Sequence, residues 1–531
     1  MSNKTDRTGP EIIPGVWGSA TNRKRHPINY VPNLLGDMVE EAERVLLAAE
    51  AEMYQRGDTL VRVGFEEVAG SNGQRIRIAR VYDVKEAFLL AELSRFIDWQ
   101  RLTEDGFKKI GPPVIVAKTL LRRAGVSKLR QLEGVIMCPT LRPDGTVLDY
   151  LGYDEQTKLL LVEPPVMPKI PERPTRQDAL EALAVLDGLL EEFPFVDEAS
   201  HSVGLSILIT PVVRGACVCV PLHSVTAPAA GTGKSFLLDT ASTIALGQAC
   251  PPMSAGNNMD EFVKRLHAEL LSGTPMFSID NANIELGGDA LCQAIERPVI
   301  NIRPLGGSDH IKIPNTVTMF ANGSNLSFLD DVTRRILRCG LDAQMEEPRK
   351  RQFRGNPIAT VARDRGRYIA AVLTLVRAYV VAGMPDRPPS IGESFERWSD
   401  MVRGALLWLG RADPVLTMDA AHRDDPVLQV RAQVFRAVHY AVGGEYLSAG
   451  AIIRATYDPP NARTPGERHE VAVNLKEALE LIAKSKQGDI SDISLGKWFR
   501  LNKGMVVEDL VLEGDRDTHT KAGIWRVRKL Q

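Results

Sequence analysis

The segment Ala227-Pro228-Ala229-Ala230-Gly231-Thr232-Gly233-Lys234-Ser235 has the residue types and spacing of a phosphate-binding loop. In such a loop backbone N–H groups curl around a β-phosphate, the lysine reaches the β- and γ-phosphates, and the next hydroxyl holds Mg²⁺. Here those residues are Lys234 and Ser235, with Gly231, Thr232, Gly233 and Phe236 completing the cradle, so ATP and Mg²⁺ are the expected cofactors. Pro228 stands where the pattern has its first glycine.

Phosphoryl transfer also needs a carboxylate on the metal side, usually at the end of a buried strand. Pro275-Met-Phe-Ser-Ile-Asp280-Asn281 meets that need, with Asp280 as the Mg²⁺-side acid and Asn281 beside it. Asn315-Thr-Val-Thr-Met-Phe-Ala-Asn322-Gly-Ser-Asn325 is a second apolar strand ending in amides, where Asn322 and Asn325 would sense a γ-phosphate. Arg334 and Arg335 follow closely and offer a cation to a neighbouring subunit's ATP, the role of an arginine finger.

The flanking patterns supply what must hold these groups. Residues 218–225 read as a buried strand and 236–245 as a helix packed on a sheet, so the loop sits between strand and helix as the chemistry requires. Two alternating runs around Gly306-Gly307 predict a β-hairpin, with Arg303, His310 and Lys312 near its tip; an ordinary solvated hairpin is the plain alternative.

The order Lys234, Asp280, Asn325, Arg335 resembles the superfamily 3 helicases of the AAA+ class, ring motors of small viruses, phages and plasmids. The resemblance implies an α/β fold with a parallel sheet flanked by helices, and a hairpin whose tip grips single-stranded DNA in the pore of a ring. It assigns Arg303, His310 and Lys312 to DNA. Most AAA-type ATPases carry Glu where this chain has Asn281; in superfamily 3 a second Asp or Asn is frequent there. Residues 110–531 further resemble the helicase half of primase-helicases from phages and other mobile elements, through Gly145-Thr-Val-Leu-Asp, Gly152-Tyr-Asp-Glu-Gln-Thr, Phe193-Pro-Phe-Val, Arg334-Arg335 and Gly496-Lys-Trp-Phe. The first 170 residues lack the clustered acids that a primase needs for two metals.

The implied function is an ATP-dependent DNA helicase or translocase for a phage or mobile element, acting as a homo-oligomeric ring such as a hexamer. Its implied partners are single-stranded DNA and a separate primase or origin-binding protein. Two other classes stay open: a regulatory or assembly AAA+ ATPase that does not unwind DNA, such as a loader or a defence protein, and a scaffold in which Asn281 marks lost hydrolysis.

Composition limits the alternatives. The chain has 531 residues, 44% hydrophobic and 25% charged, as in ordinary globular proteins, and a length that suggests about three domains. A net charge of −2 neither advertises nor excludes DNA. The scattered cysteines form no zinc pattern and point to a reduced, cytoplasmic setting; Cys217 and Cys219 read as small core residues. The chain start is polar and no segment reads as a membrane span.

The expected organisation is a flexible arm over 1–34, an N-terminal α+β domain over 35–163, a Pro-rich linker at 164–174, an ATPase domain over 175–385 and a helical, winged-helix-like region over 386–531. Helices are expected at 37–56, 114–124, 394–409, 426–442, 473–485 and 495–502. Strands are expected at 59–65, 75–82, 159–162 and 506–512. Thr175 caps a helix with Asp178 in its first turn. Glu261, Lys264 and Arg265 lie at helical spacing and either reach a neighbouring subunit's nucleotide or form a surface i,i+4 pair, and 349–354 is a basic run that lines DNA or forms a solvated loop. Lys497, Arg500, Lys503, Arg526, Arg528 and Lys529 concentrate charge on the C-terminal helix and ribbon, with Trp498 and Trp525 in their core.

Overall fold

The computed structural model describes residues 25–71, 73–123, 125–280, 282, 284–303, 310–324, 326–418, 426–485, 489–517 and 522–530. They divide into two compact units, one lying within 1–326 and 335–418 and the other within 327–334 and 419–531. Among the described residues no helix is long and apolar enough to cross a membrane.

The first unit is built on a parallel sheet of β1 (Leu222–Thr226), β2 (Pro252–Ser254), β3 (Met276–Asp280), β4 (Thr318–Gly323) and β5 (Ile336–Gly340), in the order β2-β3-β4-β1-β5. β1 and β4 lie inside the strand order and are buried along their whole length. The fold is therefore α/β. β1 is shorter than the apolar run at 218–225 suggests, because its partner strand begins opposite Leu222 and Val218 is left exposed. Helix Lys234–Leu246 follows the glycine-rich loop after β1, and helix Met259–Ser272 leads towards β3.

Ahead of this sheet lie smaller ones. The arm expected over 1–34 takes structure by His26, since His26–Asn29 pairs in parallel with Ile97–Thr103 and buries Ile28. The helix expected over 37–56 spans Leu35–Ala48 instead. Glu50 takes a φ of 52°, and Met53–Arg56 turns back on Thr59–Ala69 around Gly57. Thr59–Ala69 in turn pairs with Arg75–Asp83.

The proline-rich stretch has no regular structure, yet it is not a free spacer. Met167 and Ile170 pack on the main core, and a Cβ on Gly366 would stand 1.9 Å from the carbonyl oxygen of Val166. Thr175 then closes a capping box with Asp178, a local device that typically contributes about 1 kcal/mol. The Pro-rich break near 383–390 does not end the unit: Trp398, Met401, Ala405 and Leu406 beyond it are buried in the same core, and the unit runs on to Met418.

In the second unit helices Pro426–Val442, Pro465–Ala483 and Asp492–Asn502 pack with the strands Leu510–Arg516 and Gly523–Lys529, the middle pair of a four-stranded antiparallel sheet that Val506–Val507 and Leu447–Ser448 complete at its edges. Trp525 is in its core and Trp498 packs against it. The ribbon arginines are already engaged, because Arg526 and Arg528 both pair with Glu513 and Lys529 pairs with Asp509.

Candidate functional site

β1 delivers the chain into the glycine-rich loop at the carboxyl edge of the sheet, the edge where open α/β sheets bind ligands. Gly231 and Gly233 have φ of 78° and 111°, which favour glycine. A Cβ on Gly231 would come within 3.1 Å of Arg349, and one on Gly233 within 3.4 Å of the Phe193 ring. The loop is closed on itself by the Thr232 hydroxyl, which donates to the Ala229 carbonyl at 2.8 Å.

Lys234 opens the helix that follows, where free N–H groups and the helix dipole favour an anion. Its Nζ donates to the Ala229 carbonyl at 3.3 Å and to the Ser324 hydroxyl at 3.2 Å. Partial burial lowers its pKa below the ordinary lysine value. The lysine thus joins the glycine-rich loop to the end of β4, two segments 90 residues apart.

Asp280 is the last residue of β3 and lies in register with Asn322 of β4, so the two stand side by side at the same edge. The Asn322 side chain is buried and donates from Nδ2 to the Ser278 hydroxyl at 3.3 Å, within the sheet. Ser324, the first residue past β4, is the one that meets the lysine. Sequence reading favoured the amides and passed over Ser324; its place one step past the strand end was the available signal. Asn281 and Asn325 lie outside the described residues.

A second acid also went unread. Asp239, on the helix after the phosphate loop, accepts the Cys250 N–H at 2.9 Å. Burial raises its pKa, and the charge of Asp280 adds to the effect. Ser235, an exposed residue, follows Lys234 at the start of the same helix.

The two arginines differ sharply. Arg335 is buried at 8% exposure, and its guanidinium contacts the Glu296 carboxylate at 2.6 Å within its own chain. A neighbouring molecule could be reached by this side chain only by breaking that pair. Arg334 is exposed and pairs with Asp331 at 3.0 Å. The hairpin is formed by Val299–Ile302 and Ile311–Pro314, with Arg303, His310 and Lys312 exposed and the Gly306-Gly307 turn outside the described residues.

Beside the glycine-rich loop opens a cleft of about 900 Å³. Val185, Leu189, Phe193, Phe236 and Tyr368 give it an apolar wall, and Arg351, Phe353 and Arg354 line another part. Phe193 lies 6.4 Å from Phe236, ring to ring. Arg351 donates to the Glu192 carbonyl at 2.7 Å, and Arg354 pairs with Glu191 at 2.9 Å, so the basic run covers this cleft from the side. Among the described residues neither Asp280 nor the hairpin cations line the cleft. The fold brings Phe193, Phe236 and the basic run, each marked in the sequence, together with Val185, Leu189 and Tyr368, which no local pattern links to them.

No protein-family model and no curated protein matches this chain. Among solved structures it is similar to the apo C-terminal region of NrS-1, at 10% identity and a TM-score of 0.38, over 92% of this chain and 99% of that one. It is similar to the SCCmec type IV Cch active helicase at 12% identity and a TM-score of 0.32, over 90% of this chain and 98% of that one. JCV helicase is similar at 10% identity and a TM-score of 0.19, over 48% of this chain and 75% of that one.

Proposed function

We propose that this protein is an AAA+-type P-loop ATPase that uses ATP and Mg²⁺ to move along or unwind DNA as a homo-oligomer. The observation that carries the reading is the contact from Lys234 to Ser324, which unites the phosphate loop with the strand end beside Asp280. The triphosphate would lie across Gly231–Ser235 and the nucleoside in the apolar cleft.

Ser235 and Asp280 would hold Mg²⁺, whose chemistry there is to neutralise phosphate charge. Lys234, partly desolvated, binds the phosphates with its cation while Ser324 orients that cation. Arg334 is the exposed arginine suited to act on a neighbouring subunit's nucleotide, and Lys312 and His310 would meet single-stranded DNA phosphates.

The test is steady-state ATPase activity with and without single-stranded DNA, alongside the mass of the assembly. DNA-stimulated turnover that rises with protein concentration supports the motor. ATPase activity indifferent to DNA moves the assignment to a regulatory or assembly ATPase, and absent turnover with intact ATP binding moves it to a scaffold.

A further inference from the structure

The strand Ile311–Pro314 is an outer strand of a two-stranded ribbon, and in antiparallel pairing alternate residues point their N–H and C=O away from the partner strand. At Lys312 both outward groups are taken by a single distant residue. The Lys312 N–H donates to the Asp58 carboxylate at 3.0 Å, and the Asp58 N–H donates to the Lys312 carbonyl at 3.0 Å. Reciprocal bonds of this kind, one of them to a charged acceptor, fix the strand in position as well as in register.

The turn that carries Asp58 is itself built for this approach. Gly57 has a φ of 55°, and a Cβ there would stand 1.8 Å from the Lys312 carbonyl oxygen, so only glycine lets the two segments meet. The Gln55 side chain donates to the Gly57 carbonyl at 3.0 Å and secures the turn. Arg56, buried, donates to the carbonyls of Leu270 and Leu271 at 3.0 Å each, at the end of helix Met259–Ser272 where a cation is favoured. One side of the turn thus grips the ATPase core and the other grips the hairpin.

We infer that Asp58 and Gly57 are positioning residues, a latch through which the N-terminal region seats the hairpin strand so that the Lys312 side chain faces single-stranded DNA. The inference rests on the reading of the hairpin as a DNA contact. It gives the N-terminal sheet a part in force transfer that no catalytic motif in it announces.

Charge and latch predict opposite signs for one substitution, which makes the test sharp. Removing an acid near a DNA path should by electrostatics alone tighten binding. A broken latch should weaken it. Single-stranded DNA affinity of the full chain is measured by anisotropy with an oligonucleotide, together with hydrogen exchange of the Lys312 amide. Asp58→Ala is expected to speed that exchange at least about tenfold and to weaken DNA binding about fivefold, as for loss of one charge-assisted bond. Asp58→Asn keeps an acceptor and loses the charge, so it should protect the amide and bind DNA at least as well as the wild type. Equal or tighter binding by Asp58→Ala, or unchanged amide protection in it, overturns the latch. Wild-type protein that binds no DNA while Asp58→Ala still loses amide protection overturns the positioning role through the DNA reading alone.

Discussion

The Arg335 guanidinium is held by the Glu296 carboxylate through two contacts, Nη2 at 2.6 Å and Nε at 2.7 Å. Removing one partner of a buried pair leaves an uncompensated charge, so Arg335→Ala should destabilise the fold by about 3 kcal/mol. Arg334→Ala, at an exposed i,i+3 pair, should leave Tm within about 1 °C, since such pairs contribute little. Activity should separate them the other way if the finger acts in trans. A mixture of Lys234→Ala and Arg334→Ala subunits should recover part of the turnover that each has lost alone, measured against total protein concentration. Full activity of Arg334→Ala alone removes it from the site.

At the phosphate loop, Lys234→Ala is expected to abolish ATP binding, and Asp280→Ala to abolish hydrolysis while binding persists. Ser324→Ala removes one bond that orients the Lys234 ammonium and should lower kcat about fivefold with Tm unchanged. Titration with a fluorescent ATP analogue and steady-state kinetics distinguish the three. Chelation of Mg²⁺ should stop turnover in the wild type.

The apolar cleft makes a separate prediction. Phe193 packs on Phe236 and against Gly233 of the loop, so Phe193→Ala should raise KM for ATP about tenfold, the scale of a lost aromatic contact. kcat should change far less, because the phosphate side keeps Lys234 and Ser324. A fall in kcat at unchanged KM would assign Phe193 to the loop's geometry and not to the nucleoside.

Local features of the site were readable from sequence because each sits within one strand, loop or helix. The strand and helix on either side of the glycine-rich loop, the strand ending at Asp280 and both hairpin strands are of this kind. What distance in sequence creates was not readable. Glu296 neutralises Arg335 from a different helix, Asn322 spends its amide on Ser278 of the neighbouring strand, and Ser324 reaches Lys234 only after the sheet is assembled. The same holds at the N-terminus, where burial of Ile28 against a later strand ordered a segment whose polar composition read as an arm.

The core of the sheet carries a pH signature. His223 on β1 is fully buried between the rings of Phe320 and Trp398, with Nε2 2.9 Å from the Ser206 hydroxyl. Burial pushes its pKa down to about 3. The unfolded chain therefore takes up a proton near pH 6.5 that the folded one refuses, and stability falls as pH drops from about 6.5 towards about 3, by up to about 1.4 kcal/mol per pH unit. Above that window His223 contributes no pH dependence. Urea unfolding at pH 7.5 and 5.5 should show the loss in the wild type and a smaller loss in His223→Gln, whatever the absolute stability of the variant.

The last prediction concerns the hairpin cations. Lys312 is exposed on a strand fixed at its backbone, so if it meets a DNA phosphate as proposed, Lys312→Ala removes that contact without removing what holds the strand. Loss of one phosphate contact should weaken single-stranded DNA binding about equally for all sequences and reduce the salt slope by roughly 1. Basal ATPase activity should stay at the wild-type level, because Lys312 does not line the cleft beside the glycine-rich loop where the nucleoside is proposed to lie. Strand separation should fall much further than basal turnover, since the nucleotide site is intact while grip on the strand is lost. DNA-stimulated ATPase and unwinding both at wild-type levels in the Lys312→Ala, His310→Ala double variant would leave the protein an ATPase of the regulatory or assembly kind.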